Sequence, residues 1–224
     1  MHVSHLHDWD ISIAEAGRLQ RELAASVVRS RCLFRPPLYV GGVDVSVDRV
    51  QGRARAAVVV LSFPQLELVE VRTAQGALNW PYVPGFLSFR ELPLVLAACE
   101  LVLTTPDIVL VDGQGIAHPR RFGLASHLGL FLDTPTVGCA KSLLCGTHGP
   151  LGFERGAMAE IVHEGEVVGA AVRTRSNVNP VYVSIGHRCS FADAVESVLH
   201  CSGRYRLPEP TRLAHIAAGD RLPG

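Results

Sequence analysis

The run Asp107-Ile108-Val109-Leu110-Val111 ends on Asp112 and gives way at once to the glycines of Gly113-Gln114-Gly115. Apolar, β-branched residues bounded by turn signals predict a short strand covered on both faces. Asp112 has no apolar reason to stand at its end. A carboxylate at the carboxyl end of a central strand, followed by glycines, is where open α/β sheets put their chemistry. The other use of Asp-Gly is an Asx turn or a helix cap, and this stretch alone leaves both readings open.

The 224 residues suffice for one sizeable domain, read here as 1–224. With 48% hydrophobic and 19% charged residues the composition is that of a globular chain. A formal net charge of +0 announces no polyanionic partner, so nucleic acid would need a local groove. The six cysteines show no CxxC pair and sit mostly in apolar segments, where they act as small hydrophobes. No signal pattern or membrane-length apolar run is present, which gives the expectation of a soluble, cytoplasmic protein away from membranes. Nothing points to a protein partner, and a monomer is expected. His2, His5 and His7 read as a solvated terminal cluster.

Asp10 to Arg31 predicts an amphipathic helix, opened by the capping-box spacing of Ser12 and Glu15 and stopped by Arg35-Pro36-Pro37. Leu38 to Val47 predicts a strand that Asp44 interrupts. A lone buried carboxylate there costs several kcal/mol unless something pairs with it, and a metal ion is one such partner. A solvent-facing position on a half-exposed strand is the alternative. After a turn over Asp48 to Gly52, Arg55–Phe63 and Glu67–Thr73 complete an antiparallel meander. A meander followed by alternating helix and strand implies a mixed sheet with helices on its faces.

Between the third strand and the next helix, Trp80-Pro81-Tyr82-Val83-Pro84-Gly85-Phe86 forms a loop stiffened by two prolines. Such a tip suits insertion between bases; packing down on the core is the competing reading. Ser88 and Glu91 have capping-box spacing, but Pro93 argues for a helix that starts later and leaves Glu91 at its mouth. A helix is expected over Phe122–Leu132, a buried strand over Thr136–Ala140, and Lys141 directly after it. Lys141 is the only lysine among the 21 basic residues, and a compact charge suits a single phosphate oxygen or leaving group. Strands are expected over Val167–Thr174 and Val181–Ile185. A helix over Phe191–Cys201 follows, with His187 and Arg188 near a phosphate-accepting N-terminus, and a last short helix carries His215.

Three acidic residues thus sit on separate elements: Asp44, Glu91 and Asp112. Carboxylates without thiolates favour a hard cation such as Mg²⁺ or Mn²⁺, which activates water and neutralises a phosphodiester. Mixed sheet and acidic set together match the ribonuclease H-like nuclease architecture.

The chain also resembles the endonuclease V family. The likeness rests on Gly42-Val43-Asp44-Val45-Ser46, on the run from Pro81 to Glu91 and on Val111-Asp112-Gly113-Gln114-Gly115-Ile116-Ala117-His118-Pro119-Arg120. It continues through the run from Gly123 to Gly129, Gly138-Cys139-Ala140-Lys141, Gly186-His187-Arg188, and the run from Tyr205 to Arg212. The resemblance implies metal binding by Asp44, Glu91 and Asp112, His215 near the metal water, and Lys141 at the scissile phosphate or leaving oxygen. It implies a wedge at Pro81-Tyr82-Val83-Pro84, a hypoxanthine pocket at Gly85, Leu87, Gly113 and Gly115, and nucleic-acid backbone contacts from His118 and Arg120. The implied activity is DNA repair, by cleavage of the second phosphodiester bond 3′ to deoxyinosine. Mg²⁺ is the implied cofactor, with Mn²⁺ able to substitute. Inosine in single-stranded RNA is the alternative substrate, and a non-cleaving lesion binder is the alternative class.

Overall fold

The structure, a computed structural model, describes residues 1–30, 36–48 and 53–219. Arg31, Arg35, Cys32 and most of the turn expected over Asp48 to Gly52 lie outside them, as do residues 220–224. Nine strands form one sheet in the order β3-β2-β1-β4-β5-β9-β8-β7-β6. Its first half is β1 (Tyr39–Asp48), β2 (Arg53–Ser62) and β3 (Leu68–Gly76), an antiparallel meander as the sequence predicts. β4 (Ile108–Val111) and β5 (Thr136–Ala140) then run parallel to β1. β6 (Thr147–His148), β7 (Met158–His163), β8 (Glu166–Val172) and β9 (Val181–His187) close the far side, with β9 antiparallel to both β5 and β8. This is the mixed sheet expected of the ribonuclease H-like class.

Period-two alternation of side chains splits the core between two faces. Val40, Ile108, Leu110, Val137 and Cys139 pack on one face with α4 (Phe191–His200) and α5 (Glu209–Ala218). Val43, Val109 and Val111 pack on the other with α2 (Leu87–Glu100) and α3 (Leu124–Leu132). Counting on by twos puts Asp44, Asp112 and Lys141 on the α5 side, where β4 and β5 end beside the middle of β1. Val43 pairs with Val111 and Val111 with Gly138, so Asp44 and Asp112 follow side by side, while Lys141 comes three residues after Gly138, just past the end of β5.

Several elements differ from expectation. Helix α1 (Ile13–Ala24) has the Ser12–Glu15 capping box, but it stops well short of Arg31. α2 begins at Leu87 behind a Phe86 cap with no side-chain bond, so Glu91 and Pro93 both lie within the helix. Pro93 forgoes its bond to the Phe89 carbonyl. Ser88 does not cap; its hydroxyl meets His127 Nδ1 at 3.0 Å. At α4 a capping box of Ser190 and Asp193 occupies the N-terminus, and Arg188 binds Asp133 at 2.6 Å. The expected phosphate site there gives way to an internal cap. His7 leaves solvent to meet His127 Nε2 at 2.7 Å, so the terminal histidines are not all solvated. Strands β6 and β7 were not expected. Among the described residues no helix is long and apolar enough to cross a membrane.

Candidate active site

Parallel strands present Asp44 and Asp112 side by side, and α5 packs across them. Gly42 makes this approach possible, because a Cβ there would stand 2.0 Å from the Pro210 carbonyl oxygen. With α5 that close, His215 Nδ1 lies 2.7 Å from Asp44 Oδ2 and donates to the carboxylate. Asp44, Asp112 and His215 each offer a ligand atom, and all three lie within 4.8 Å of one another. Lys141 Nζ pairs with Asp112. Asp44 is only 10% exposed at its side chain, so the half-exposed alternative for this strand position does not hold.

Glu91 comes from α2. It lies outside that close group of ligand atoms, yet it is near enough to feel both aspartates. Burial pushes its carboxyl up to about 8, and the charges of Asp44 and Asp112 push the same way. Asp44 is also raised, by burial first and then by Asp112, while His215 and Lys141 pull it back. Carboxylates this crowded are incompletely neutralised by one lysine and one histidine. The donors are oxygen and imidazole nitrogen without sulfur, which fits a hard divalent cation.

A pH prediction follows for the metal-free protein. The folded state holds a proton on Glu91 that the unfolded chain releases above about 4.5. Its contribution is therefore fully present below that pH, declines as pH rises, and is lost above about 8. In EDTA, the stability of wild type relative to Glu91→Gln is expected to fall by a few kcal/mol between pH 5 and pH 9, and saturating Mg²⁺ is expected to flatten the slope. Thermal melts of both proteins across that range check it; parallel curves in EDTA contradict it.

Beside the carboxylates lies a cavity of about 330 Å³, lined among others by Tyr82, Val83, Pro84, Gly85, Leu87 and Gly113, with Asp112 and Lys141 at its wall. Tyr82 is 73% exposed, so the tip of the proline-bounded loop stands out from the surface. Gly85 has φ +79°, a conformation that favours glycine. Its carbonyl accepts from Gln20 Nε2 (3.0 Å), His118 Nε2 (3.0 Å) and Arg120 Nη2 (2.7 Å). Arg120 also lies 4.2 Å over the Phe86 ring and binds Gln20 Oε1 at 2.5 Å. Burial, then Arg120, lowers His118 to about 4, so it braces the loop as a neutral imidazole.

The structure thus brings Asp44, Asp112, His215 and Lys141 together, with Glu91 nearby and the cavity alongside. Pro81 lines a neighbouring groove instead. Gly115 is not among the cavity's lining residues; it packs on β9, where a Cβ would fall 1.9 Å from the Ile185 carbonyl oxygen. Two supporting residues escaped sequence reasoning. Gln20 is a buried amide on α1, and Arg206 holds the Lys141 and Pro180 carbonyls at 2.7 Å each. A polar residue on the buried face of an amphipathic helix was the available signal for Gln20; Arg206 stood within the run from Tyr205 to Arg212 that carries the resemblance, without a role of its own.

A mixed sheet with carboxylates gathered where its central strands β1 and β4 lie side by side defines a ribonuclease H-like protein. The family model for endonuclease V matches residues 21–216. An endonuclease V of Trichormus variabilis is 49% identical over 221 residues, covering 99% of this chain and 100% of that protein. One from Dehalococcoides mccartyi is 50% identical over 220 residues, 98% of each. The crystal structure of the Streptomyces avermitilis endonuclease V superposes with a TM-score of 0.90 at 40% identity, over 98% of this chain and 97% of that one. The Ciona intestinalis endonuclease V, solved in complex with a 24mer DNA containing an inosine followed by a ribo-adenosine, gives 0.83 at 32% identity over 93% and 96%. The chain belongs to the endonuclease V family.

Proposed function

We propose that this protein is a metal-dependent DNA-repair endonuclease that recognises deoxyinosine and hydrolyses the second phosphodiester bond 3′ to it, leaving a 3′-hydroxyl and a 5′-phosphate. The observation that carries the reading is the gathering of Asp44 and Glu91 around Asp112, which with Lys141 forms part of the wall of a cavity beside an exposed tyrosine loop. The inosine-containing DNA held by the Ciona relative supplies the substrate class.

Asp44, Glu91 and Asp112 would hold Mg²⁺, with Mn²⁺ able to substitute and His215 beside the metal-bound water. Bound there, the ion supplies positive charge to the phosphodiester and makes water more acidic. The protein's own groups do the rest. Asp44 fixes His215 through Nδ1, leaving Nε2 to orient water and take its proton. Lys141 offers a compact positive charge to the departing 3′ oxygen. The Pro81–Pro84 loop, with Tyr82 at its tip, fills the gap left in the stack while the everted base enters the cavity. Gly85 and Gly113 let backbone amides approach that base closely.

The test is cleavage of end-labelled strands carrying one deoxyinosine, with Mg²⁺ or EDTA, beside matched inosine-containing RNA. A single nick one nucleotide beyond the inosine's own 3′ linkage, in DNA and only with metal, is the expected result. Tight binding without turnover, or cutting of RNA alone, overturns the reading.

A further inference from the structure

Outside the carboxylate site, one polar chain runs from the surface at Asp8 through the buried His127 to the cavity. His7 Nδ1 meets the Asp8 carbonyl at 2.8 Å, His7 Nε2 meets His127 Nε2 at 2.7 Å, and His127 Nδ1 meets the Ser88 hydroxyl at 3.0 Å. Ser88 is one of the residues lining the cavity. His127 is fully buried among Phe89, Phe122, Phe131 and Trp9, and among the described residues no acid touches it. Burial holds both histidines below their usual value, so each is a neutral ring with one N–H.

The proton positions then follow from one end. A carbonyl only accepts, so His7 carries its proton on Nδ1 and offers a bare Nε2. His127 must therefore donate from Nε2, which leaves its Nδ1 bare. Ser88 must donate to that nitrogen. The side chain's only polar hydrogen is committed to the interior, and what it can offer an occupant of the cavity is a lone pair.

We propose that Ser88 is a specificity-determining residue, held as a pure acceptor by His7 and His127 acting as positioning residues, and that it selects a base whose ring edge presents N–H. Hypoxanthine carries a hydrogen on N1; adenine has a bare acceptor there, which meets lone pair with lone pair. The polarity of the chain thus favours the deaminated purine over its parent. This rests on the deoxyinosine reading above and deepens it by naming a residue that discriminates at N1.

The experiment is a cycle between protein and substrate. Strands with deoxyinosine or 1-deaza-deoxyinosine, where C–H replaces N1–H, are cut by wild type, Ser88→Ala and His7→Phe, each read as kcat and KM. Wild type is expected to lose about tenfold in kcat/KM on the deaza strand, the scale of one buried hydrogen bond. Ser88→Ala is expected to lose nothing further, and His7→Phe, which no longer imposes the tautomer, to show a reduced penalty. Imidazole ¹⁵N spectra of the wild type need no variant to fold, and they are expected to show His127 protonated at Nε2 and bare at Nδ1. An equal deaza penalty in wild type and Ser88→Ala, or a proton on His127 Nδ1, overturns the proposal while leaving deoxyinosine cleavage intact. Failure of wild type to cut deoxyinosine at all overturns the underlying reading and this one with it.

Discussion

Asp112→Ala is expected to lose cleavage of deoxyinosine-containing DNA by at least about 10³-fold while folding normally. Removal of a single well-placed electrostatic group already costs about 10²–10³ in other active sites, and Asp112 holds two roles at once. It is one of the three residues with mutually close ligand atoms, and it is the carboxylate that anchors Lys141. The change removes no core volume, because the apolar side chains of β4 end at Val111. It also removes one of the charges that raise Asp44 and Glu91, so the metal-free variant is expected to melt no lower than wild type. Lys141, 41% exposed at its side chain, can turn to water once its partner is gone. Single-turnover cleavage and thermal melts in EDTA check both halves; robust Mg²⁺-dependent cutting by the variant removes Asp112 from the chemistry.

Gly42→Ala is expected to damage the site through a single methyl group. Its Cβ would sit 2.0 Å from the Pro210 carbonyl oxygen and 2.8 Å from the Pro210 Cα, both rigid backbone at the start of α5. Either β1 or α5 must yield. Overpacking of this kind costs about 1–3 kcal/mol or more, and the shift carries His215 away from Asp44. A displacement of about 1 Å at catalytic groups costs on the order of 10²-fold in rate. Gly149→Ala, with nothing within 4 Å of its Cβ, is the matched control and is expected to change neither melting nor rate. Melting temperature and kcat measured on both variants decide it. A Gly42→Ala protein that keeps wild-type kcat shows that the α5 contact does not set the site.

Local chemistry was legible in the sequence wherever it follows from neighbours along the chain. The Ser12–Glu15 box, the apolar run ending on Asp112 and the β1–β3 meander all stand as read. Where two local rules competed, the tertiary fold chose. Ser88 and Glu91 have the spacing of a cap, but the Ser88 hydroxyl is drawn to His127, 39 residues away, and Pro93 is carried inside a helix anchored by buried Phe89, Leu92 and Val95. β7 was unreadable because, of its residues, Ile161 alone is buried, leaving an outer strand whose exposed positions are as apolar as Met158 and Val162. The bracing of Gly85 by Gln20 and of Gln20 by Arg120 spans 65 and 100 residues, a separation no local pattern encodes. Asp44 and Asp112 announced themselves as charges in apolar strands; Lys141 did so as the lone lysine of an arginine-rich chain.

Crystals soaked in Mn²⁺ and measured at an anomalous wavelength would examine the heart of this reading without reference to turnover. One strong peak is expected among the carboxylates of Asp44, Asp112 and Glu91, facing the cavity that Tyr82 and Gly85 border. Manganese bound elsewhere, with these three side chains left as they stand, would contradict it.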